Sequence, residues 1–151
     1  MKKRYVIAVI GGRKAGKALL EEAEEAGRLI AERGAVLISG GLNGVMEAAS
    51  KGASSAGGLT VGILPHENKE EANKYIDVAV ATGLGIGRNI LIVRTADALI
   101  AIGGEYGTLS EIAFGLQLGK PVIGIRSWDI RGLVPAYDAE DAVAKVFEAI
   151  K

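Results

Sequence analysis

Short apolar runs rich in β-branched residues recur along the chain, at Tyr5–Ile10, Ala35–Ser39, Leu59–Leu64, Ile76–Ala81, Ala98–Ile102 and Pro121–Arg126. Several are apolar throughout instead of alternating, as strands covered on both faces are, and this predicts a mainly parallel sheet. Between them lie stretches with helical periodicity: Lys17–Arg33, Asn43–Ala56, Ile86–Thr95, Thr108–Leu118 and Ala139–Ile150, with a shorter helix expected over Glu67–Lys74. In the first of these, Leu19, Leu20, Ala23, Ala26, Leu29 and Ile30 share a face largely opposite Glu21, Glu22, Glu24 and Glu25, and Gly34 marks the end. Pro135-Ala136-Tyr137-Asp138 reads as a connector before the last helix. Strand and helix alternating in this way predict an α/β, Rossmann-like, doubly wound sheet with helices on both faces, one domain over residues 1–151. Such a sheet takes its ligand outside the carboxyl ends of the strands, near the point where the strand order reverses.

Composition narrows the chemistry. Lysine plus arginine and aspartate plus glutamate both number 18, so no net field favours nucleic acid or a membrane surface as partner. The chain has no cysteine and one histidine, which removes thiolate nucleophiles and zinc–thiolate centres, disfavours a histidine-based triad and leaves no metal site expected. Met1-Lys2-Lys3-Arg4 before Tyr5–Ile10 has the outline of a secretion signal, but the apolar run is short and leads into Gly11-Gly12-Arg13-Lys14 without a cleavage site. A first strand and a cytoplasmic protein are expected, and no stretch nears the ~18 apolar residues of a membrane span.

The 22 glycines cluster behind the apolar runs. Gly11-Gly12-Arg13-Lys14-Ala15-Gly16-Lys17-Ala18 has the spacing of a P-loop, yet Ala18 stands where the magnesium-binding hydroxyl belongs, so an NTPase is disfavoured; the turn brings Arg13, with Lys14, to the ligand edge or leaves both as solvated charges. Gly40-Gly41-Leu42-Asn43-Gly44 and Gly103-Gly104-Glu105-Tyr106-Gly107-Thr108 each link a strand to a helix. Glycines bring bare backbone close to a ligand, and the first helical turn offers unpaired N–H groups and the positive dipole end, which together suit a phosphate. Thr108 either caps its helix or donates to the phosphate, and Glu111, one turn further on, either faces solvent or reaches a ribose or a water. Gly83-Leu84-Gly85-Ile86-Gly87 lacks the dinucleotide spacing, so NAD is disfavoured. Arg88, a cation at the wrong end of a helix, points to an anionic ligand or to a surface carboxylate. His66 follows Pro65 in a loop, and Trp128 and Asp129 follow the last strand, where they stack on a base or plug the sheet end.

Asp97–Glu111 resembles the P-G-G-x-G-T-x-x-E signature of the LONELY GUY (LOG) phosphoribohydrolases, long labelled "possible lysine decarboxylase", and Arg88-Asn89 stands where that family has Arg-Lys. The resemblance runs from about Tyr5 to Arg126 and includes Ser39–Glu47 as a second glycine turn. It implies a homodimer or homotetramer that hydrolyses the N-glycosidic bond of a nucleoside 5′-monophosphate such as AMP without a cofactor. Arg88 and Glu111 would be the catalytic pair, and Gly103–Thr108 the phosphate cradle. Ile102 in place of the signature proline, Asn89 in place of the lysine and Gly11-Gly12-Arg13 bring the chain closer to the molybdenum cofactor carrier proteins, which implies the alternative of a non-catalytic carrier or sensor.

Overall fold

The computed structural model describes residues 3–151; Met1 and Lys2, read above with the charged start of the chain, lie outside it. Among the described residues seven strands form one sheet, all pairs parallel: β1 (Val6–Gly11), β2 (Val36–Ser39), β3 (Thr60–Leu64), β4 (Val78–Ala81), β5 (Ala98–Ile102), β6 (Val122–Ile125) and β7 (Val134–Ala136). Their spatial order is β4-β3-β2-β1-β5-β6-β7, so the chain winds outward from β1 to one edge, crosses back, and winds outward again from β5. Five helices cover it: α1 (Lys17–Glu32), α2 (Val45–Ser55), α3 (Asn89–Thr95), α4 (Tyr106–Gln117) and α5 (Ala139–Ala149). This is the Rossmann-like, doubly wound architecture the apolar pattern predicts.

Alternation within the buried strands sorts the two layers. Ile7 and Val9 of β1 pack with Ala23, Ala26 and Ile30 of α1, Ala49 of α2 and Val143 of α5. Ala8 and Ile10 face the other way, toward Ile92 and Val93 of α3 and Ile112 of α4. Successive side chains on a strand point to opposite faces, so a run that is buried on both must be apolar at every position. The α1–α2 contact is closer than apolar side chains allow. A Cβ on Gly27 would lie 1.9 Å from the Ala49 carbonyl oxygen, and one on Gly52 would lie 1.8 Å from that of Glu24.

The structure differs from the sequence expectation at three places. Val134–Ala136, read as connector, is an edge strand; Pro135 is tolerated because an edge strand leaves one side of its backbone unpaired. Ile86–Thr95 divides into a 3₁₀ turn at Gly85–Arg88 followed directly by α3; at the junction Arg88 has ψ −15°, nearer the 3₁₀ than the α value. The helix expected over Glu67–Lys74 shrinks to a 3₁₀ turn at Lys69–Glu71, with Asn68 capping it through the Glu70 N–H.

One long-range device fixes the second layer. Lys120 donates from Nζ to the carbonyls of Val93, Arg94 and Ala96, at 2.7, 2.8 and 2.6 Å, and so satisfies the C-terminus of α3. An ammonium there also complements the negative helix end. Lys120→Met keeps the aliphatic stem and removes all three donors; thermal melts are expected to show about 1–3 kcal/mol of lost stability.

Candidate functional site

With every strand parallel, the turns after β1, β2 and β5 open on the same edge, and the reversal of strand order falls between β1 and β5. A cavity of about 470 Å³ lies there. Gly11, Gly12, Arg13 and Lys14 line it from the first turn, Gly40 and Met46 from the second, and Glu105, Gly107, Thr108 and Glu111 from the start of α4, while Arg88 and Asn89 close its inner side.

The α4 entrance has the geometry of an anion receptor. Gly103 and Gly104 take φ +55° and +102°, the backbone then extends at Glu105 (φ −109°, ψ −151°), and α4 begins at Tyr106 with no side-chain cap. The first turn of an α-helix has no intrahelical acceptors for its N–H groups, so these amides and the helix dipole face the cavity where Gly107 and Thr108 line it. Counted back from Gly107-Thr108-x-x-Glu111, the proline of the LOG signature falls on Gly103 and its second glycine on Glu105, not on Ile102. The distinction is physical: φ +55° is closed to proline, whose ring fixes φ near −65°.

The second turn contributes less than expected. The Val45 N–H at the start of α2 is taken by the Gly12 carbonyl at 3.1 Å. Gly44, at φ +70°, is wedged so that a Cβ would lie 2.3 Å from the Gly12 oxygen and 2.5 Å from that of Arg13. Gly44 therefore clamps the first turn onto the second. Gly41 is held against β3, with Leu64 Cδ2 2.7 Å from where its Cβ would be. Of the glycines of this turn only Gly40 lines the cavity, and a Cβ there would crowd Arg88 Nη2 at 2.5 Å.

Arg88 is buried, at 9% exposure. Nε donates to the Ile63 carbonyl at 2.8 Å, Nη1 to Asn89 Oδ1, and Nη2 reaches the Gly40 carbonyl at 3.5 Å. Asn89 in turn donates from Nδ2 to Ser110 Oγ at 3.2 Å, and Ser110 donates to the Gly107 carbonyl at 2.6 Å. A chain of side chains thus ties the guanidinium to the first turn of α4. Among the described residues no carboxylate lies within 4.0 Å of it. Desolvation lowers its pKa, against the attraction of Glu111, and the charge of Arg13 lowers it further.

Glu111 is 7% exposed and lines the same cavity. Burial pushes its carboxyl up to about 8, with Arg88 opposing the shift. A carboxyl in that range titrates where acid–base chemistry at neutral pH needs it.

Of the residues singled out from the sequence, Gly11, Gly12, Arg13, Lys14, Gly40, Arg88, Asn89, Glu105, Gly107, Thr108 and Glu111 line the cavity; Gly41, Gly44, Gly103, Gly104 and Tyr106 do not. Gly103 and Gly104 shape the turn behind the α4 amides: the Gly103 N–H bonds the Ile125 carbonyl at 3.0 Å, and a Cβ on Gly104 would strike Thr108 at 2.4 Å. Tyr106 is 79% exposed and its ring lies 6.1 Å from that of Trp128. Ile10 and Met46 line the cavity without having been foreseen, and so does the Asn89–Ser110 link. No local signal in the sequence marks that link, because its partners lie 21 residues apart. Lys17, the P-loop lysine by spacing, is 91% exposed in its side chain and lies away from this cavity.

Fold and cavity define a doubly wound α/β domain with an anion-suited site at its topological switch point. The chain belongs to the SLOG cluster4 family, which matches residues 4–149. Among solved structures, it is similar to the molybdenum cofactor binding protein of Rippkaea orientalis, with a TM-score of 0.94 and 37% identity over 100% of both chains. An uncharacterized protein of Archaeoglobus fulgidus is 50% identical over 80% of this chain and 79% of its own length. The cytokinin riboside 5′-monophosphate phosphoribohydrolase of Mycobacterium tuberculosis is 33% identical over 73% of this chain; the match spans 64% of that relative's length.

Proposed function

We propose that this protein binds a phosphorylated, nucleotide-like ligand with its phosphate at the α4 entrance, and that it hydrolyses the N-glycosidic bond of a nucleoside 5′-monophosphate, AMP being the simplest. The observation that carries the chemical step is that the buried Glu111 carboxyl shares one cavity with a buried Arg88 that forms no ion pair among the described residues. Similarity to the mycobacterial phosphoribohydrolase supports the same reaction class.

In this reaction the α4 amides and Thr108 hold the phosphate, and Arg88 contributes charge from the inner wall. Water adds to C1′ as the C1′–N bond breaks, and the electron pair of that bond leaves with the base. Ionised Glu111 takes the proton from the water and stabilises the cationic sugar as it forms; the base picks up a proton on release. The products are free base and ribose 5-phosphate, and no cofactor enters the balance.

A second reading is a carrier or sensor, for which a phosphorylated pterin is cargo. It is favoured by the end-to-end similarity to the Rippkaea orientalis protein and by Asn89, which stands where the LOG pattern has lysine and is spent here on holding Arg88. Incubation with AMP and detection of adenine and ribose 5-phosphate separates the two: release abolished by Glu111→Gln supports the hydrolase, and tight binding without release supports the carrier.

Self-association belongs to the same proposal. Tyr106, Phe114 and Leu118 recur at helical spacing on the outer side of α4 at 79%, 39% and 40% exposure. Leu116 is partly buried against the second core layer and Ile92 is fully buried, so neither is free for such a seam. Light scattering should find a dimer or tetramer that Phe114→Glu/Leu118→Glu converts to monomer; an unchanged mass would place any seam elsewhere.

A further inference from the structure

The cavity holds more cationic charge than one phosphate at the α4 entrance requires. Arg13, Lys14 and Arg88 all line it, and among the described residues none of the three forms an ion pair; every ion pair found lies elsewhere, on α1, α2, α5 and the C-terminus. A phosphate at the α4 entrance already has the helical amides and Thr108 as donors. Arg13 is near enough to Arg88 for its charge to disfavour the second guanidinium, so the cavity wall sets like charges against each other.

These cations are not on a loose loop. Gly12 accepts from the Val45 N–H, and Gly44 packs against the Gly12 and Arg13 carbonyls with no space for a Cβ, so the backbone that presents Arg13 is clamped to α2. The charge is also distributed unevenly. The cations of the first turn lie on one side, whereas Glu105 lines the α4 side, at the position of the second glycine in the LOG signature. A carboxylate there disfavours piling negative charge on the α4 amides and leaves room for it near Arg13 and Lys14.

We propose that the cavity receives two separate anionic groups of one ligand, the first at the α4 entrance and the second between Arg13 and Lys14, so that the preferred ligand class is a nucleotide-like molecule bearing two phosphates. This rests on the phosphate-binding reading above and makes AMP a partial ligand that fills only the first position. Arg13 and Lys14 are then specificity-determining residues, and Arg88, on the inner wall, serves both positions.

The test is titration calorimetry of the full chain with AMP, ADP and adenosine 3′,5′-bisphosphate. Arg13→Ala/Lys14→Ala is compared with wild type, and Lys17→Ala, whose side chain is exposed and outside the cavity, controls for bulk charge. The expected result is that ADP or adenosine 3′,5′-bisphosphate binds wild type about tenfold or more tighter than AMP, a gain typical of an added charge-assisted contact. The double variant should lose that advantage, and Lys17→Ala should keep it. Equal affinity for AMP, ADP and adenosine 3′,5′-bisphosphate overturns the proposal, as does an advantage that survives the double substitution or vanishes equally in Lys17→Ala. Adenine release from AMP without any bisphosphate preference defeats this inference alone. Bisphosphate binding without adenine release from AMP defeats the hydrolase reading alone.

Discussion

Glu111→Gln is expected to lose turnover by about 10²–10⁴ while AMP affinity is largely retained. Glutamine reproduces the shape of the protonated carboxyl, so the cavity and its packing persist, but it can neither take a proton from water nor balance a forming cation. Because burial holds the Glu111 carboxyl at about 8, its ionised form grows as pH rises through that value, and the rate of wild type should climb from neutral toward alkaline pH. Adenine release followed across this range is the measurement; a flat profile, or equal turnover in the variant, would remove Glu111 from the chemistry. Stability supplies an independent reading of the same group. Its folded-state pKa lies above the ordinary value of 4.5, so the folded protein holds a proton that the unfolded chain gives up. The resulting stabilisation is full below about 4.5 and is lost as pH rises through about 8, at roughly 1.4 kcal/mol for each pH unit between. Denaturant melts of Glu111→Gln should lack this slope, and the variant should be the more stable of the two at alkaline pH.

Gly52→Val is expected to cost about 3 kcal/mol and to lower Tm by about 6–12 °C. The first side-chain atom would fall 1.8 Å from the Glu24 carbonyl oxygen, a backbone atom that moves only if α1 and α2 separate. Separation opens the layer formed by Ala23, Ala26 and Ala49, whose small side chains have no reach to fill the gap. The gain in helix propensity on leaving glycine, at most about 1 kcal/mol, is too small to offset this. Gly27→Val faces the same obstacle at the Ala49 carbonyl, and since both substitutions strain one seam their effects should combine less than additively. Differential scanning calorimetry decides it: a Tm within a degree of wild type would mean that the two helices are not in close contact in solution. Ligand affinity of the folded fraction should be unchanged, because neither glycine lines the cavity.

How much was written in the chain itself follows from the range over which each signal acts. The central strands β1, β2, β5 and β6 are buried at almost every position, so unbroken apolar runs announced both their places and their parallel pairing. The helices announced themselves by periodicity, and the turns after β1, β2 and β5 by glycine, all local properties. Arg88, Glu111 and the α4 turn were legible because their residue types are costly where they stand unless something uses them. Other features needed the fold. Pro135 argued against a strand until the sheet order placed Val134–Ala136 at an edge, where a missing donor costs little. Identical-looking glycines took different work: Gly40 faces the cavity, Gly44 clamps two turns together, and Gly27 and Gly52 let two helices touch. The pairing of Asn89 with Ser110 and the reach of Lys120 to the end of α3 join residues 21 or more positions apart. Sequence determined most of the strands and helices and where the glycine turns fall, because those depend on neighbours along the chain. Tertiary structure alone decided which side chains meet, because packing and desolvation depend on neighbours in space.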